Sequence, residues 1–111
     1  MSLIDLEDKI FIAGHKGMAG KSILKALREK GYRNFVLANR EDLDLLNPIQ
    51  VMDWFNQNKP NIVVLAAAKV GGILANNSYP YDFLLENLKI NTNVIESSFK
   101  NKTKRLLFLG S

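Results

Sequence analysis

The chain has 111 residues, 47% of them apolar and 23% charged, with a formal net charge of +4. That length bounds it at one domain with room for a core, and the balance is that of an ordinary soluble globular chain. No run approaches the roughly 20 apolar residues of a membrane span, the first residues are acidic where an export signal is basic, and the lack of cysteine excludes disulfides and thiolate metal sites. A cytoplasmic chain without membrane contact and with no metal site is the expectation. The basic residues fall mainly in two clusters, Lys21-Lys25-Arg28-Lys30-Arg33 and Lys100-Lys102-Lys104-Arg105. Neither is interleaved with stacking aromatics, so both read as solvated surface and no nucleic-acid partner is expected.

Lys9-Ile10-Phe11-Ile12-Ala13 is a short β-branched and aromatic run. It breaks into Gly14-His15-Lys16-Gly17-Met18-Ala19-Gly20 and then a helical pattern, the order of strand, phosphate loop and helix. Gly14 turns the chain off the strand, Gly17 admits a pyrophosphate to the backbone, and Gly20 lets the helix lie close on the strand. The unpaired amides at the helix start then face the ligand's negative charge. A glycine-rich turn without a ligand is the competing reading; the strand before and the helix after favour the phosphate loop. His15 contacts phosphate or makes a backbone bond.

The first helix is predicted from about Met18 to Lys30, stopping at Gly31, with Ala19, Ile23, Ala26 and Leu27 as its apolar stripe. Asn34–Ala38 is the second strand, apolar enough to be covered on both faces. Residues 39–46 form a loop, and Asn47-Pro48 opens a second helix that ends before Pro60. Trp54 on that helix reads as a packing residue. Ile62–Ala66 is the third strand and runs into Ala67-Ala68-Lys69-Val70-Gly71-Gly72, where Ala67 and Ala68 leave space for a cofactor or pack under a helix. After a turn at Asn76–Pro80, a long helix from Tyr81 to about Asn101 carries two apolar stripes, Leu84-Leu88-Ile95-Phe99 and Phe83-Ile90-Val94, and therefore has two partners. Arg105–Leu109 is the fourth strand, followed by Gly110-Ser111.

This alternation predicts an α/β fold, the N-terminal portion of a Rossmann-type doubly wound parallel sheet. About four strands in the order 3-2-1-4 and three helices are expected, with the cleft between strands one and four. An acidic residue at the tip of strand two would select NAD through the ribose 2′-hydroxyl. The tip here reads Leu37-Ala38-Asn39-Arg40. Arg40, with Lys16 in the glycine loop, suits a 2′-phosphate and favours NADP. Glu41 stands 21 residues past Gly20, near the spacing of the acidic residue, and keeps NAD open.

The runs Ile12–Met18, Ala66-Ala67-Ala68-Lys69-Val70-Gly71-Gly72-Ile73, Ala75-Asn76-Asn77 and Leu106–Ser111 closely resemble the GDP-L-fucose synthase family. That family is a branch of the extended short-chain dehydrogenases/reductases, the NAD-dependent epimerases/dehydratases. The resemblance implies an NADP-dependent epimerase and reductase taking GDP-4-keto-6-deoxy-D-mannose to GDP-L-fucose, through C3 and C5 epimerisation and reduction of the 4-keto group. It implies a cofactor site at Gly14–Gly20, at Arg40, Glu41, Asp42, Leu43, Asp44 and Leu45, and at Leu109 and Gly110, with Asp44 and Leu45 near the adenine. It makes Ser111 the catalytic serine on the substrate's 4-oxygen, and gives Lys69, Gly71 and Gly72 a place in the loop that positions the substrate. The family has arginine where Lys16 stands. The family's Tyr-x-x-x-Lys pair and nucleotide-sugar region follow the part matched here, and none of Tyr32, Tyr79 or Tyr81 has a lysine four residues later. The expectation is the N-terminal NADP-binding part, residues 1–111, of a homodimeric enzyme, inactive alone. Another NAD-dependent sugar-nucleotide epimerase/dehydratase, or a non-catalytic nucleotide-binding module, is the alternative.

Overall fold

The computed structural model describes residues 5–39, 41–66 and 80–108. In chain order these form β1 (Ile10–Ala13), α1 (Met18–Glu29), β2 (Phe35–Val36), α2 (Pro48–Asn58), β3 (Ile62–Leu65), α3 (Pro80–Lys100) and β4 (Arg105–Phe108). The strands make one parallel sheet in the order β2-β1-β3-β4. The parallel doubly wound class is as expected, but the order differs from 3-2-1-4 because β3 lies on the far side of β1 from β2. The residues explain this. Every position of β3 is apolar and buried, so it needs neighbours on both edges and cover on both faces, which a site beyond the two-residue β2 does not offer.

The reversal of winding therefore falls between β1 and β3, not between the first and fourth strands. One crossover runs from β1 through α1 to β2. The next returns past β1 to β3, and right-handedness then puts α2, and α3 after it, on the opposite face. The core is split accordingly. Phe11, Ala13, Val63 and Leu65 point to the α2/α3 side, with Val51, Phe55, Ile90 and Val94. Ile10, Ile12, Ile62 and Val64 point to the α1 side, against Ile23, Leu24 and Leu27. Ala19 and Ala26, expected in the α1 stripe, are exposed, and Leu24 packs instead.

Trp54 packs on Phe11 with ring centroids 4.2 Å apart, in the packing role read for it. Asn47 caps α2 by accepting from the amides of Ile49 and Gln50, and Pro48 occupies the first turn. The second strand is shorter than expected because the chain leaves β1 after Val36. On α3, Ile90 and Val94 are buried while Leu88, Ile95 and Phe99 are exposed; Phe83 and Leu84 lie outside the described side chains. No helix among the described residues is long and apolar enough to cross a membrane.

At the N-terminal ends of the strands, Asn61 joins three segments. Its side chain accepts from the Lys9 amide, its own amide donates to the Lys9 carbonyl, and its carbonyl accepts from Lys104 and Arg105. Lys104 Nζ also reaches Asp8 at 2.8 Å and Asp5 at 3.5 Å. Lys104 is thus an ion-paired residue, unlike the solvated cluster in which the sequence places it. In the other basic cluster, Arg28 lies over the Phe35 ring at 5.6 Å, and Arg33 donates to the Arg28 and Tyr32 carbonyls.

Candidate functional site

A cleft of about 850 Å³ opens at the C-terminal ends of β1 and β3, where the winding reverses. Such switch points are where open α/β sheets receive ligands, because the flanking loops diverge to opposite faces. Phe11, Ala13 and Ala66 form its floor. Gly14 to Ala19 make one wall, and Ala38, Asn39, Glu41 and Leu43 to Leu46 make another. Glu86 and Ile90 of α3 close it.

The glycine loop is built by its residues. Gly14 has φ +86°, a left-handed conformation that a side chain resists. A Cβ on Gly20 would run into the Gly14 carbonyl oxygen and sit 2.8 Å from the His15 Cα, so only glycine lets α1 begin this close to the strand. Gly17 is different. Its φ of −73° is ordinary, and a Cβ there would approach the Gly14 oxygen no closer than 3.5 Å. The protein's own packing leaves that position free.

Gly17 donates to the Gly14 carbonyl at 3.1 Å and closes the turn. It is also the N-cap of α1, with no side chain capping the helix and no acidic residue in the first turn. The positive end of the helix dipole and the first-turn amides thus face the cleft without a side-chain anion of their own. Lys16 lines the same wall. Beside it, partial burial and then the Lys16 charge hold the His15 pKa below the ordinary histidine range, both favouring the neutral imidazole.

On the facing wall, Leu43 is buried beneath the loop. The Asp44 carboxylate accepts from the Leu46 amide at 3.0 Å, and the Asp44 amide donates to Gln50 at 3.1 Å. Small alanines at the strand tips leave the floor open. A dinucleotide fits this donor set: bare amides and a lysine at one wall, and a mixed apolar and carboxylate wall opposite. Among the described residues, no group of histidines and carboxylates is placed to hold a metal ion.

Of the residues expected at a cofactor site, Gly14, His15, Lys16, Gly17, Met18, Ala19, Glu41, Leu43, Asp44 and Leu45 line this one cleft. Gly20 and Asp42 are not among the lining residues, and Gly20 instead serves the close packing of α1. Arg40, Ala67, Ala68, Lys69, Gly71, Gly72, Leu109, Gly110 and Ser111 lie outside the described residues. Glu86 and Ile90 were not foreseen. They stand one helical turn apart, a spacing that puts them on one face of α3 but does not say which face meets the cleft.

Comparison with known proteins gives the same picture. GDP-L-fucose synthase 1 of Arabidopsis thaliana is 52% identical over 110 residues, covering 99% of this chain and 34% of that protein. The GDP-L-fucose synthase of Escherichia coli K12 is 46% identical over 105 residues, covering 95% and 33%. Among solved structures, MlghC, a GDP-mannoheptose C4 reductase from Campylobacter jejuni with NADP bound, matches with a TM-score of 0.91 and 43% identity, covering 96% of this chain and 34% of that one. The chain spans about a third of the length of the curated relatives it matches. With residues 10–111 matching the family as a whole, and a glycine loop and switch-point cleft built as described, the chain belongs to the NAD-dependent epimerase/dehydratase family.

Proposed function

We propose that this chain is the NADP-binding part of a GDP-sugar epimerase/reductase that converts GDP-4-keto-6-deoxy-D-mannose to GDP-L-fucose. The observation that carries the reading is the single cleft shared by the glycine loop, Lys16 and the loop after β2, in a chain 46–52% identical to GDP-L-fucose synthases. The first-turn amides of α1 and Gly17 take the pyrophosphate. Lys16 and Arg40 take the 2′-phosphate, where a carboxylate would repel it. Glu41 to Leu45 hold the adenosine. When bound, NADPH supplies the hydride that reduces the 4-keto group. Ser111 donates a hydrogen bond to the substrate's 4-oxygen, while Lys69, Gly71 and Gly72 position the sugar nucleotide. No tyrosine of these 111 residues is followed four positions later by lysine, so the proton donor of the family's reduction is not supplied here. This stretch alone binds cofactor and does not turn over.

Titrating NADPH and NADH against the protein, followed by nicotinamide fluorescence, tests the cofactor. NADPH is expected to bind tighter, and tighter NADH binding overturns the reading. A second reading, reduction of a GDP-heptose at C4, is favoured by the likeness to MlghC. Offering GDP-4-keto-6-deoxymannose and a GDP-4-keto-heptose to the protein that carries this sequence separates the two, since each reading requires faster turnover of its own sugar.

A further inference from the structure

The wall formed by the loop after β2 has little strand to hold it, because β2 is only 2 residues long and lies at the sheet edge. Most of its hydrogen bonds are local. The amides of Asp42 and Leu43 donate to the Asn39 carbonyl at 3.0 and 2.9 Å, and Asp44 bonds Gln50 and Leu46. Those bonds shape the loop but do not fix its distance from the rest of the cleft. A long-range bond does: Asn93 Nδ2 donates to the Leu45 carbonyl at 2.8 Å, across 48 residues of sequence. Asn93 follows Ile90 by three residues and Glu86 by seven, so it shares the face of α3 that closes the cleft. The adjacent Val94 is buried in the cluster that holds Leu43, with Leu45 packed against it.

We propose that Asn93 is a positioning residue that sets the width of the adenosine end of the cleft by tying the Leu45 carbonyl to α3. The inference rests on the NADP reading above. Without the tie, the nucleotide must order residues 43–46 as it binds, and that ordering weakens apparent affinity. A carbonyl is satisfied there by a side-chain donor, so replacing Asn93 by the isosteric Asp removes the donor and sets an anion against the oxygen.

The test uses 2′,5′-ADP, which carries only the adenosine half of NADP. Its Kd is measured by calorimetry for the wild type, Asn93→Asp and Asn93→Ala, well below each protein's Tm. Amide exchange at Leu46 and Asn47 is followed without ligand. Both variants are expected to bind about five- to tenfold more weakly and to exchange faster at those two amides. Should Asn93→Asp not fold, Asn93→Ala carries the comparison. A lowered Tm with an unchanged Kd and unchanged loop exchange overturns the proposal, since that is the signature of a purely structural residue. If the wild type itself does not bind 2′,5′-ADP, the cofactor reading falls and the positioning role falls with it.

Discussion

A methyl group on Gly20 would press on the Gly14 carbonyl, whereas one on Gly17 would find room. The two glycines therefore answer to different constraints, and mutation separates them. Gly20→Ala is expected to lower stability by about 1–3 kcal/mol, the usual range for overpacking, and to lose NADPH binding because α1 is pushed off the strand. Gly17→Ala is expected to lose under about 1 kcal/mol, the difference between glycine and alanine at an N-cap, while NADPH binding still falls. Thermal melts paired with titrations read both. Wild-type affinity in Gly17→Ala would mean that no pyrophosphate approaches there. Arg40→Ala is expected to weaken NADPH more than NADH, and equal losses would show that Arg40 does not read the 2′-phosphate. The packing role of Gly20 is legible in sequence because a glycine at fixed spacing after a strand encodes close backbone approach. Glu86 and Asn93 are not, because nothing local says which face of a long helix meets a loop some 48 residues away.

Helix boundaries follow directly from local chemistry. Asn47-Pro48 opens α2 where a cap and a first-turn proline should, and Asn47→Ala is expected to cost about 1 kcal/mol, read as a fall in the denaturation midpoint with an unchanged m-value. Helix faces are harder. The α1 stripe read from spacing includes Ala19 and Ala26, yet the buried side is turned toward Leu24, because a 3.6-residue period fixes a stripe's direction only to within a neighbouring position. On α3 the described members of the two stripes separate, while Phe83 and Leu84 lie outside the described side chains. Ile90 and Val94 are buried, while Leu88, Ile95 and Phe99 are 54%, 42% and 83% exposed along one side. Apolar side chains so grouped favour association. Phe99→Asp is expected to suppress concentration-dependent self-association in sedimentation velocity without shifting Tm, and unaltered association would place any contact elsewhere.

Over the whole molecule, the sheet has a binding end and a fastening end. At the fastening end, Lys104 holds Asp8, whose carboxyl pKa is driven below the usual aspartate range by hydrogen bonds from Lys104 and the Asp5 amide. The Lys104 ammonium is correspondingly raised by its bond to Asp8. A depressed carboxyl stabilises the fold above its unfolded pKa of about 3.9 and loses that contribution as pH falls through its folded value; a raised ammonium contributes below about 10.4 and loses it as pH rises. The pair therefore acts in full between these limits. Asp8→Asn is expected to lower the urea midpoint at pH 7 and to flatten its decline toward pH 3, while parallel acid limbs would show that other carboxylates govern it. The class of fold was legible from alternating strands and helices. The place of β3 beside β1 was not, because local sequence marks strands while the direction of each crossover depends on which strand can be covered on both faces.

β1 contributes its odd-numbered side chains to one half-core and its even-numbered ones to the other, and the two clusters have no residue in common. Only the odd-numbered pair, Phe11 and Ala13, reaches the cleft floor. The layer beneath α1 meets the cleft instead through Ala66, which packs against it and lines the floor. Repacking Ile10, Ile12, Ile62 or Val64 against α1 therefore acts on the scaffold and on the glycine wall together, because the helix seated on that layer begins where the wall ends.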